Sequence, residues 1–82
     1  MTQYMVIERF LPGRKDEVYE RYARCGRMLP DGLVYLDSWL ENDGDRCFQL
    51  METNDYSLFE EWTAHWKDLG DFEIVEIGPK PA

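Results

Sequence analysis

Between Tyr4 and Ile77 the apolar residues of this chain switch back and forth between the spacing of a strand and that of a helix. YMVIERF, Tyr4 to Phe10, is rich in strand formers and is broken by Leu11-Pro12-Gly13. From about Arg14 to Met28 the period lengthens, and Val18, Tyr22, Cys25 and Leu29 make one helical stripe. Glu17–Arg21 and Glu20–Arg24 stand at the supportive i, i+4 spacing on its other side. Pro30 and Gly32 end that helix. LVYLDSWLE, Leu33 to Glu41, and the run RCFQLMET are strand-like and flank ENDG, a turn in which Gly44 would supply the left-handed residue of a bulge. Asn54 or Asp55 can cap a second helix carrying Leu58, Phe59, Trp62, Trp66 and Leu69, which Gly70 stops. FEIVEI, Phe72 to Ile77, is a last strand, apolar on both sides, and residues 78–82 are a tail without regular structure.

The order strand, helix, strand, strand, helix, strand has one simple solution when crossovers are right-handed. It is a four-stranded antiparallel sheet with both helices on one face, the ferredoxin-like α+β arrangement. Eighty-two residues make this a single domain, 1–82, close to the smallest size that folds on its own core.

A sheet covered on one side leaves the other bare. The helix-side set is expected to be Met5, Ile7, Val34, Leu36, Phe48 and Leu50, because the opposite choice on the first strand would bury Glu8 under apolar helices. Alternation then sends Tyr4, Val6, Glu8 and Phe10 to the bare face. In the preferred hairpin register Tyr35 faces Met51, Asp37 faces Gln49 and Trp39 faces Cys47; a shorter loop would set Trp39 beside Phe48. A bare face so apolar predicts a face-to-face homodimer. Glu8, Tyr35, Asp37, Trp39, Gln49 and Met51 are then the candidate lining of a cavity between the two sheets, suited to a small apolar or aromatic molecule.

The totals exclude some partners. Seventeen acids against nine bases give a net charge of −8, unsuited to a phosphate backbone. Arg14, Lys15, Arg21, Arg24 and Arg27 cluster in the first third and read as a solvated helix face. Cys25 and Cys47, with no CxxC and a sole histidine, His65, give too few ligands for a metal site, and no cofactor motif is present. Both cysteines read as small buried hydrophobes, Cys47 at the cavity, and His65 as a helix-edge residue. With no secretory leader and no spanning apolar run, a cytoplasmic protein with reduced thiols is expected.

YMVIERF, GRMLPDGLVYLDSW, RCFQLMET and the EEW…W…DLGDFEIV end resemble a family of small bacterial proteins known only as a domain of unknown function. In topology the chain is similar to the dimeric α/β-barrel group, which includes cofactor-free monooxygenases, haem-degrading relatives and stress-responsive proteins. That likeness implies a dimer and a cavity and assigns no chemistry. Three readings stand. The first is a small ligand-binding dimer without known catalysis. The second is a cofactor-independent oxygenase- or isomerase-like enzyme using Glu8 or Asp37. The third is a partner-binding module docking through the helix-one arginines.

Overall fold

The computed structural model describes residues 1–81. Its elements are β1 (Thr2–Phe10), α1 (Lys15–Cys25), β2 (Leu33–Leu40), β3 (Arg46–Thr53), α2 (Ser57–Thr63) and β4 (Gly70–Glu76). The sheet order is β2-β3-β1-β4 and every neighbouring pair is antiparallel, so the chain has the ferredoxin-like α+β fold. Residues 78–81 form no helix or strand, and residue 82 of the expected tail lies outside the described residues.

The two faces of the sheet are exchanged relative to the sequence expectation. Tyr4, Val6, Glu8 and Phe10 are buried beneath the helices, with Gln49, Met51 and Leu33 from the neighbouring strands. The Tyr4 ring lies 5.0 Å from that of Phe59 on α2, and Phe10 lies 6.3 Å from Tyr19 on α1. Met5, Ile7, Phe48 and Leu50, expected under the helices, are half-buried on the other side, while Val34 and Leu36 are exposed. The physical reason lies in β1, which is apolar on both faces. Choosing Tyr4, Val6 and Phe10 for the core buries two rings, each worth about 150–250 Å² of surface removed from water. That gain outweighs the burial of one carboxyl that can keep its proton.

A bulge changes the hairpin. Tyr35 pairs with Met51 as expected, but the register shifts across Leu36, so Asp37 pairs with Leu50 and Trp39 with Phe48. An extra residue in one strand reverses its alternation. Asp37 and Trp39 therefore leave the helix face that Tyr35 occupies. In the loop the Gly44 amide donates to the Glu41 carbonyl at 3.3 Å, and Asp43, not Gly44, takes the left-handed backbone at φ 56°. Asp accepts that conformation at modest cost.

Helix one is shorter than its stripe implied. It stops at Cys25, where Gly26 turns to φ 69° and its amide donates to the Tyr22 carbonyl at 2.8 Å. Val18 is its one buried residue, whereas Tyr22 and Cys25 are exposed. Cys25 is thus not a core residue, because this helix stands off the sheet above a cavity. Arg21 bonds across to Asp68 at 2.8 Å instead of to Glu17, which Arg14 takes at 2.9 Å; the Arg21 guanidinium holds the Asp68 carboxyl below its usual range.

The helix-two stripe holds: Phe59, Trp62, Trp66 and Leu69 are all buried. The regular helix ends at Thr63, and i→i+3 bonds from Trp66 to Thr63 and from Leu69 to Trp66 carry the stripe onward. The N-cap position is Tyr56, without a side-chain cap, and Asp55 just before it accepts the Ser57 amide at 3.0 Å. Phe72 and Ile74 of β4 pack against the core, and Val75 is exposed opposite Met5 on the bare face.

Gly70 opens β4 instead of merely stopping a helix. It pairs with Phe10, and a Cβ there would sit 2.8 Å from the Arg9 carbonyl oxygen. Gly70→Ala is expected to lower stability by about 1–3 kcal/mol, the usual cost of forcing an extra methyl into a closed site. The denaturation midpoint in urea should fall at constant slope; an unmoved midpoint would reject the close β1–β4 approach.

Candidate functional site: a cavity between sheet and helices

Because α1 touches the sheet layer mainly through Val18, space remains beneath it. The result is a cavity of about 280 Å³. Glu8 and Phe10 of β1 and Cys47 and Gln49 of β3 form its floor. Val18, Tyr19 and Tyr22 of α1, Trp62 and Trp66 from the helix-two segment, and Arg27 close it from above. Ser38, Trp39 and Leu40 make its β2 edge. The lining is mostly apolar, with few polar groups, the composition typical of small-molecule sites.

Glu8 is the chemical centre of this space. Its side chain is 5% exposed. Gln49 Nε2 donates to its Oε1 at 3.4 Å, a long contact, and its Oε2 has no hydrogen-bond partner although it is buried. Desolvation raises its pKa from 4.5 to about 7. Near neutrality the carboxyl is therefore divided between a neutral acid that donates and an anion that accepts. Such a group, buried with one oxygen unpartnered, is rare in a protein interior.

Its neighbours are less reactive. Burial, followed by the Glu8 charge, pushes the Cys47 thiol up to about 11, so it stays protonated and is no nucleophile at neutral pH. Tyr19 is likewise raised, first by burial. The walls are held by Arg27, whose backbone carbonyl accepts the indole N–H of Trp62 at 2.9 Å and that of Trp66 at 3.1 Å. Its guanidinium carbon lies 3.6 Å from the Tyr35 ring centroid.

The six candidate residues do not form one group. Glu8 and Gln49 line the cavity floor, and Trp39, set beside Phe48 and half exposed, borders it only at the β2 edge. Tyr35 and Met51 lie on the helix-covered side without lining it, Tyr35 sharing a hydrogen bond with Ser38 Oγ. Asp37 sits outside, its carboxylate accepting the Ser38 amide at 2.8 Å. The expected pairing of Glu8 with Asp37 is thus absent. Sequence reasoning missed Arg27, Tyr22 and Tyr19 as lining residues. The available signal was the end of helix one at Gly26, which places Arg27 at the start of a segment returning over the sheet. His65 is exposed and contributes its carbonyl to Arg21 at 2.8 Å.

Among the described residues no group of three or more His, Cys, Asp or Glu side chains could hold a metal ion, and no helix is long and apolar enough to cross a membrane. No curated protein and no solved structure matches the chain significantly. The family model for a domain of unknown function, DUF3303, matches residues 2–77, nearly the whole chain. The chain belongs to the DUF3303 family.

Proposed function

We propose that this protein binds a small, largely apolar, ring-bearing molecule in the cavity beneath α1, with Glu8 meeting its polar atom. One observation carries the reading: Glu8, a buried carboxyl with one oxygen unpartnered, borders a space walled mostly by aromatic and aliphatic groups, with Arg27, Ser38 and Gln49 as its other polar members. A bound hydroxyl or carbonyl would satisfy it. The volume suits a substituted ring, since a cavity of roughly 150 Å³ accommodates a benzene, and about 280 Å³ leaves room for substituents.

The test uses a neutral one-ring probe, 4-methylphenol, followed through the fluorescence of Trp62 and Trp66. Saturable quenching is expected, and Val18→Phe, which extends a ring into the cavity, should abolish it while the circular dichroism is kept. Equal quenching of native protein and variant would reject the cavity as the site.

A second reading is favoured by the position of Glu8 near pH 7: proton transfer to or from the bound molecule, as in a cofactor-independent oxygenase or isomerase. Oxygen uptake with quinols and anthrones, abolished in Glu8→Gln, would support it, and silence across that panel would remove it. The docking reading is weakened, because Arg14, Arg21 and Arg24 already hold carboxylates of the same chain.

The homodimer also belongs to this proposal, through other residues than sequence suggested. Met5, Ile7, Phe48, Leu50 and Val75 sit together on the uncovered face, with Arg9, Arg46, Asp71 and Glu73 at one end. An apolar centre beside charges of both signs can complement its own copy about a two-fold axis. The free thiols Cys25 and Cys47 suit a reducing cytoplasm, where we place the protein.

A further inference from the structure

Arg14, Arg21 and Arg24 each have a carboxylate partner, at 2.9, 2.8 and 3.8 Å. Arg27 does not: among the described residues its guanidinium forms no ion pair, although it is half-buried and lines the cavity. Its side chain spends one donor on the Tyr22 hydroxyl at 3.0 Å and otherwise lies against the rings of Tyr35 and Tyr22, 3.6 and 5.0 Å from their centroids. A guanidinium carries five N–H donors, so most of its capacity is unused. The residue is also fixed in place, because its own carbonyl is clamped by the two indoles of the cavity wall.

Arg27 and Glu8 are separate features of the same space. Burial alone accounts for the raised proton affinity of Glu8, and Arg27 is not among its causes, whereas both groups act on Cys47. A ligand filling the cavity therefore borders a buried carboxyl with one unpartnered oxygen at one point and an unpaired cation at another. Long-range attraction cannot supply an anion here, since the chain carries a net −8. Any preference for one must come from Arg27 itself.

We propose that the cavity selects a small aromatic carboxylic acid, its carboxylate held by Arg27 and a hydroxyl or carbonyl on the far side of its ring held by Glu8. This rests on the cavity-binding reading above and specifies its ligand class. An amine of the same shape would face the guanidinium and be disfavoured, and a neutral phenol would lose the charge-assisted contact.

Three matched probes test it: 4-hydroxyphenylacetate, the neutral 4-ethylphenol and the cationic tyramine, measured by calorimetry on the native protein and on Arg27→Met. The native protein should bind the acid about tenfold or more tighter than the phenol. Arg27→Met should bind the acid no more tightly than the phenol. Should the variant not fold, native protein in high salt should lose the acid's advantage alone. The acid binding no tighter than the phenol, or the variant keeping the preference, would overturn the proposal while leaving the cavity reading intact. Failure of all three probes to bind would overturn both.

Discussion

Glu8→Gln is expected to stabilise this protein at alkaline pH by roughly 2–3 kcal/mol, an unusual result for a substitution in a small core. The folded state holds the Glu8 proton more tightly than the unfolded state, with a pKa of about 7 against 4.5. A raised folded value means that the stabilisation is complete below pH 4.5 and is lost as pH rises through about 7. The span between those values corresponds to about 3 kcal/mol. Above it, the native chain carries a desolvated carboxylate that a glutamine lacks. Asp68, exposed, and Glu41, half-buried, are paired with arginines and shifted downward instead, so their contributions vanish only as the solution becomes more acidic than their ordinary range. Denaturation of native protein and variant at a series of pH values should give curves that coincide in acid and separate through neutrality. Parallel curves would show that Glu8 titrates as a solvated residue.

The second large effect concerns adjacent residues on β1. Val6 is fully buried beneath the helices, and Ile7, half-buried, faces away beside Phe48 and Glu73. Val6→Lys places an unpaired ammonium in the core, at a cost of more than about 4 kcal/mol. A domain of this length has only about 0.05–0.15 kcal/mol of stability per residue, so the variant should be largely unfolded. Ile7→Lys should fold, with Glu73 across the ladder to receive the charge. It should also sediment as a monomer, where the native chain is expected to sediment as a dimer. Circular dichroism and sedimentation velocity on the two variants decide both matters. If Val6→Lys folds and Ile7→Lys does not, the facing of the sheet described here is wrong; a native monomer would reject the dimer.

How far the sequence could be read is shown by the same strand. Element order and sheet type followed from changes of period and from turn residues, because Pro12, Gly26, Pro30 and Gly32 act on the local backbone whatever surrounds them. The helix-two stripe was readable for the same reason. The facing of β1 was not, since Tyr4, Val6 and Phe10 alternate with Met5 and Ile7 and both sets can form a core. Glu8 alone distinguished them, and the rule that charges stay outside pointed the wrong way, because a carboxyl can be buried as a neutral acid. The bulge at Leu36 left no mark in composition, yet it moved Asp37 and Trp39 away from Tyr35 and divided the candidate site. Glu8 and Gln49 were found by sequence, but with the space assigned to the wrong side of the sheet. Arg27 needed three dimensions, because its isolation from carboxylates is visible only once its neighbours are placed.

The most direct measurement is of Glu8 itself. In protein labelled with carbon-13 at glutamate carboxyls, the Glu8 resonance can be assigned by its loss in Glu8→Gln and followed with pH. A carboxyl buried at the floor of the space beneath α1 should titrate with a midpoint near 7. A midpoint at the ordinary 4.5 would mean that water reaches it freely, and the site proposed here would not exist.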